Sequence, residues 1–119
     1  MIALSDEGAD ALALLASEWF KTARRLSRLT LEAAPGRLER ERAQLSYSQA
    51  LVEGTLAKHG LRLVLHDGLP FSPQIPAEPV NLEDFGSDEG LVVSDTLEPT
   101  VIFNGRVLAR GLVVLAKEN

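Results

Sequence analysis

"VIFNGRVLARGLVVLAK", residues 101–117, is the stretch that decides the fold class. Two runs of strand-forming residues flank Asn104-Gly105, and a type I′ turn needs positive φ at both of its central positions, which this pair tolerates better than almost any other. The stretch therefore predicts a β-hairpin with strands over 100–103 and 106–109. A further strand follows over 112–116, and an earlier one is predicted over 91–95. Gly111 is expected to mark a bulge or bend where the last strand begins. Arg106 and Arg110 interrupt runs that otherwise read as sheet core, which raises the question of what this sheet touches.

Upstream, Leu61, Leu63 and Leu65 alternate with Arg62 and Val64, a period of two. His66-Asp67-Gly68 reads as a turn. Pro70, Pro73, Pro76 and Pro79 then keep 68–80 extended but outside a central strand, because proline donates no ladder hydrogen bond. This is a structured connecting segment. Residues 61–119 accordingly form a small all-β domain.

Residues 5–34 read as a helix. Ser5 or Asp6 can cap it, and Asp6, Glu7 and Asp10 complement the positive end of its dipole. Leu12, Leu15, Trp19, Thr22, Leu26, Leu29 and Ala33 recur at spacings of three and four, the seam of a helix that packs on another helix. Lys21, Arg24, Arg25 and Arg28 lie off that seam, in the half where the dipole favours cations, and read as a solvated face. Ala34-Pro35-Gly36 breaks the pattern. A second helix over 37–59 carries Leu38, Leu45 and Val52 seven apart, with Leu51 and Leu56 widening the stripe, and ends at Gly60 as a C-cap. Two such helices cannot bury both stripes against each other and a small sheet, so self-association is expected. The fold class is α+β: a helical hairpin over 1–60 forming a dimeric four-helix bundle, followed by the β-domain. The dimer interface is assigned to Leu12, Leu15, Trp19, Leu26, Leu29, Leu45 and Val52.

Charge and composition exclude several classes of function. Seventeen acidic against twelve basic residues give a formal charge of −5 over 119 residues, which disfavours a phosphate backbone as partner. Nucleic acid is not expected. The N-terminal apolar stretch follows Asp6, Glu7 and Asp10 rather than a basic region, unlike a signal peptide. No run approaches the roughly 18 apolar residues of a membrane helix, so no membrane partner is expected and the cytoplasm is the default location. With no cysteine, disulfides and thiolate metal sites are ruled out. His59 and His66 have no carboxylate at ligand spacing and are assigned capping or surface roles. Glu83, Asp84, Asp88 and Glu89 lack calcium-loop spacing. No nucleophile elbow or phosphate-cradling loop occurs. The expectation is a protein with no metal, no cofactor and no catalytic residue, and not an enzyme.

The order of these segments resembles a known family. "LSYSQALVEGTLAKHGLRLV" (45–64), "GLPFSPQIPAEPV" (68–80) and "EGLVVSDTLEPTVIFNGRVLARGLVVLAK" (89–117) are similar, in sequence, to the last bundle helix, the connecting segment and the β-domain of GrpE, the nucleotide exchange factor of DnaK-type chaperones. The matching motifs are His59-Gly60-Leu61, Pro70-Phe71-Ser72-Pro73, Asn104-Gly105-Arg106 and Val113-Val114-Leu115-Ala116-Lys117. The likeness covers roughly residue 38 onward.

That resemblance implies a homodimeric co-chaperone whose β-domain is a wing that engages the ATPase domain of a DnaK-type chaperone and opens its nucleotide cleft. It answers the question of the sheet with a partner protein. Contact is assigned to Asn104, Gly105 and Arg106 at the hairpin, with Leu108, Arg110, Val114 and Leu115 beside it. The chain departs from the family pattern in three places. The long stalk before the bundle is expected to be missing. Glu98-Pro99-Thr100 stands where a Gly-Tyr pair is common. Ala109 occupies a usual arginine position, with Arg110 one step later, and one residue in a strand changes the face unless a bulge compensates. Two rival readings stay open: a small acidic dimeric adaptor or secretion-type chaperone, and a member that dimerises without binding a chaperone.

Overall fold

The computed structural model describes residues 4–30, 35–87 and 89–118. Ala33, Ala34 and Asp88, used in the sequence reading, lie outside the described residues. The architecture is α+β, with two long helices and two three-stranded sheets among the described residues. The chain divides into two compact units, Met1–Arg62 and Leu63–Asn119.

In the first unit, α1 runs Asp6–Thr30 and α2 runs Pro35–Lys58. Ser5 is the N-cap of α1: its Oγ accepts from the Gly8 amide at 3.0 Å, satisfying one of the otherwise unpaired first-turn donors. Asp6 and Glu7 fill the first turn and Arg28 the last. The second helix starts two residues earlier than the sequence suggests. Pro35 opens it, because the first turn needs no amide donor from that position and a fixed φ near −65° suits it. Gly36 is therefore helical rather than a turn residue. Gly60, at φ +79, ends α2 as expected.

The face that α1 buries is not the leucine seam. Ala9, Ala13 and Ala16 are buried, at spacings of four and three, whereas Leu15 is 67% exposed and Leu29 64%. Small side chains allow close backbone approach where leucine would not fit. The larger residues are left beside the helix contact, not within it.

The second unit is built on one long bent hairpin. Strands β3 (Leu91–Glu98) and β4 (Thr100–Phe103) are separated only by Pro99, and β5 (Arg106–Ala109) and β6 (Gly111–Lys117) only by Arg110. Asn104 and Gly105, at φ +50 and +83, make the turn that the sequence predicts. Beyond the Pro99/Arg110 bend, each arm leaves one sheet for the other. The sheet orders are β1-β4-β5 and β2-β6-β3, with β1 at Leu61–Val64 and β2 at Ala77–Pro79.

The register shifts explain this bend. Val101 faces Ala109 while Ile102 faces Val107, so Leu108 is the extra residue. On β3 the extra residues are Ser94 and Leu97. Bulges increase local twist and re-aim strands. Gly111 begins β6 at the bend, the second of its two expected roles, and is not a bulge; it sits at the crossing, where a Cβ would lie 2.7 Å from the Glu98 carbonyl oxygen and 3.0 Å from the Thr100 nitrogen.

The connecting segment contributes a strand that the prolines obscure. Ala77–Pro79 pairs in parallel with β6 at the sheet edge, where a proline is tolerated because one side of the strand needs no ladder partner. Asn81 then prolongs the pairing with its side chain. Its Nδ2 donates to the Leu115 carbonyl and its Oδ1 accepts from the Leu115 amide, both at 2.9 Å. Ala77, Leu91, Val93, Val113 and Leu115 form the buried core of this sheet, with Phe71, Ile75 and Phe85 packed against it.

Candidate partner-binding surfaces

Two surfaces gather the residues singled out by sequence. The first is the β4–β5 turn. Arg106 follows it, with its guanidinium carbon 5.6 Å from the centroid of the Phe103 ring, a cation–π distance. Phe103 is itself buried, so the ring that orients the arginine is fixed by the core. Val107 is 47% exposed beside it. Leu108 and Val114 are half-buried.

Two of the assigned contact residues have other work. Leu115 is buried in the core and presents no surface to a partner. Alternation along β6 places Gly111, Val113 and Leu115 inward, and the neighbouring Val114 is the more exposed. Arg110 reaches back to the connecting segment: its Nε donates to Glu78 Oε1 at 2.7 Å, and its Nη2 lies 3.5 Å from the carbonyl oxygens of Ile75 and Ala77. The displaced arginine thus clips β2 to the end of β5.

Behind the turn lies a polar network that the sequence reading missed. His66 is buried, contrary to the capping or surface role assigned to it. Its Nε2 is 2.7 Å from Thr100 Oγ1, and that hydroxyl donates to the Pro76 carbonyl at 2.7 Å. With its single proton committed there, Thr100 accepts from His66, which places a proton on Nε2. The His66 amide donates to Thr96 Oγ1 at 3.0 Å, and Thr96 donates to Asp67. Thr96 and Thr100 are both fully buried. A buried histidine two residues before a glycine turn has no periodic signature, so only the tertiary structure reveals it.

Burial lowers the pKa of His66 below its usual 6.5, and the adjacent Asp67 carboxylate partly offsets this. A histidine with a lowered folded pKa binds fewer protons folded than unfolded. Its contribution to stability is complete above about pH 6.5 and is lost as pH falls through the folded pKa. Urea unfolding should show stability declining from pH 7 to 5, by at most about 1.4 kcal/mol per pH unit from this group. His66→Gln should lack that component. Equal slopes for the two proteins would rule out His66 as its source.

The second surface belongs to the helical hairpin. Leu12, Leu15, Ala16 and Trp19 from α1 and Leu51, Val52, Thr55 and Leu56 from α2 line an open groove of about 290 Å³. It brings together four of the seven residues assigned to the dimer interface, Leu12, Leu15, Trp19 and Val52. Leu26 and Leu29 are exposed further along α1, Leu45 is half-buried, and Tyr47 and Leu51 are exposed on α2. The groove is thus apolar and open, with Leu15 and Leu51 among its exposed lining residues. Ala16 and Thr55 were not singled out by sequence, since their sizes add little to an apolar period.

Among the described residues no group of three or more histidine, aspartate or glutamate side chains is placed to hold a metal ion. No helix among them is long and apolar enough to cross a membrane. No protein-family model matches this chain, and no curated protein matches it significantly.

Proposed function

We propose that this protein is a GrpE-like co-chaperone, a homodimer joined through its helices, whose β-unit binds the ATPase domain of a DnaK-type chaperone and promotes ADP release. The observation that carries the reading is the β4–β5 turn. It is a rigid hairpin with both central φ values positive, and its arginine is stacked on a core-anchored phenylalanine. An exchange factor needs only such a preorganised surface. If it binds the open, nucleotide-free partner tenfold more tightly than the closed one, that preference amounts to about 1.4 kcal/mol.

The groove between α1 and α2 supports the dimeric part of the reading. A second copy covering Leu12, Leu15, Trp19, Leu51 and Val52 would complete a four-helix bundle. Arg106 is the charged anchor, Asn104-Gly105 shapes the contact, and Val107 and Leu108 supply apolar area around it, while Val114 lies on β6 in the other sheet, opposite Asp95. The adaptor reading draws on the same exposed helix face, which could hold an unfolded client instead of a second copy.

Stopped-flow release of a fluorescent ADP analogue from the organism's own DnaK-type chaperone tests the proposal. Wild-type protein, dimeric by sedimentation, should accelerate release. Arg106→Ala should require about 30-fold more protein for the same rate, the loss typical of an interfacial arginine anchor. A folded protein that accelerates none of the organism's DnaK-type chaperones would refute exchange. A monomer that captures unfolded clients would favour the adaptor.

A further inference from the structure

The helical hairpin is electrically polarised, and the polarity arises only when the two helices are taken together. Between residues 18 and 42 the chain carries seven cations against four carboxylates, Glu18, Glu32, Glu39 and Glu41, a formal +3; five cations against thirteen carboxylates leave the remainder at −8. Four residues join α1 to α2, so the end of the first helix and the start of the second meet at one end of the hairpin. The cluster on α1 is thereby joined by Arg37, Arg40 and Arg42. Arg25, Arg28, Arg37, Arg40 and Arg42 are all exposed there.

The carboxylates of α1 are remote from this end. Asp6 lies about 28 Å along the helix from Arg25, at about 1.5 Å per residue, several times the Debye length of about 8 Å at physiological salt. Glu18 is nearer but is engaged with Lys21 at 2.8 Å. The hairpin end therefore presents positive potential although the protein as a whole is acidic.

We propose that this end of the hairpin docks end-on onto an anionic lipid surface. The arrangement of the cations selects a plane over a strand or a single patch. On α1 they span an arc of about 100°, but Arg37, Arg40 and Arg42 point to three different sides of α2 at about 100° per residue. A row of nucleic-acid phosphates or one acidic protein patch would reach only part of such a ring. A plane of anionic headgroups met end-on attracts Arg25, Arg28, Arg37 and Arg40, each within about 8 Å of this end at about 1.5 Å per residue, and leaves the acidic start of α1 pointing away. Leu29 and Leu26, 64% and 42% exposed in the final turns of α1, add apolar side chains at the height where headgroups meet acyl chains.

Flotation of the full protein with vesicles tests this. Vesicles of 30% phosphatidylglycerol in phosphatidylcholine should bind it at 50 mM salt, phosphatidylcholine alone should not, and 0.5 M salt should release it. Each cation near such a surface contributes roughly fivefold, so Arg25→Gln/Arg37→Gln/Arg40→Gln should bind about 100-fold more weakly, with helicity unchanged by circular dichroism. Leu29→Ser should weaken binding without altering its salt dependence. Failure of the folded protein to float with anionic vesicles at low salt, or equal binding to neutral ones, overturns the proposal. So does tighter binding to single-stranded DNA or polyglutamate than to the vesicles. None of these outcomes bears on ADP release, which is measured without lipid.

Discussion

Gly111→Ala is expected to destabilise the β-unit by about 3 kcal/mol or more, the upper end for an overpacked core site. The cause is steric. A Cβ at this position would lie 2.7 Å from the Glu98 carbonyl oxygen, 2.9 Å from Thr100 Oγ1 and 3.0 Å from the Thr100 nitrogen. Two of these three atoms are backbone, so relief requires moving the crossing itself. Gly105→Ala supplies the control. Gly105 has open space around its would-be Cβ but sits at φ +83, so its penalty is conformational, about 1 kcal/mol. Urea unfolding of the two variants should rank them in that order. Equal losses would mean that the strands part easily at the crossing.

The second large effect is expected at Thr100. Thr100→Val keeps the shape but deletes the hydroxyl that joins His66 to the Pro76 carbonyl. The His66 Nε2 donor would then be left buried without its partner, at about 1–3 kcal/mol, whereas the Pro76 carbonyl keeps the Gly111 amide at 3.1 Å. The expected loss is about 2 kcal/mol. Thr100→Ser retains both hydrogen bonds and loses only a methyl group, about 1 kcal/mol. Chemical denaturation separates these cases. A serine variant as unstable as the valine variant would show that the methyl packing matters as much as the network; a valine variant as stable as wild type would show that the network contributes nothing.

The parts of the fold legible in the sequence are those governed by local chemistry. Asn104-Gly105 could be read because a type I′ turn tolerates few other pairs, and Gly60 because a left-handed cap favours glycine. The helices could be read from their apolar period. What the period could not convey was which stripe turns inward. Leu12, Leu15 and Trp19 are the louder signal, but Ala9, Ala13 and Ala16 are the residues buried, because helix contact is limited by side-chain size as well as by hydrophobicity.

Non-local features were the hardest to see. Proline argued against a strand at 77–79, and its objection applies only to a central position; at an edge it lapses. The pairing of Arg110 could not be read because its partner, Glu78, is 32 residues away in the chain. His66 looked like surface because histidine occurs in both settings. Leu115 carried no mark separating core from contact until the pairing of β6 fixed which way it points.

The position of β6 between β2 and β3 also governs the order in which this unit can be made. A ribosome delivers β2 and β3 first, and neither has its sheet partner until Gly111–Lys117 has emerged. Before then the backbone of β3 can bond only to the segment Gly68–Phe71, and the sheet closes around a strand that arrives last. Until that moment the nascent chain exposes Val93 and Leu91, two residues of the eventual core, and its best protection is the speed with which the Asn104-Gly105 turn brings the final strand home.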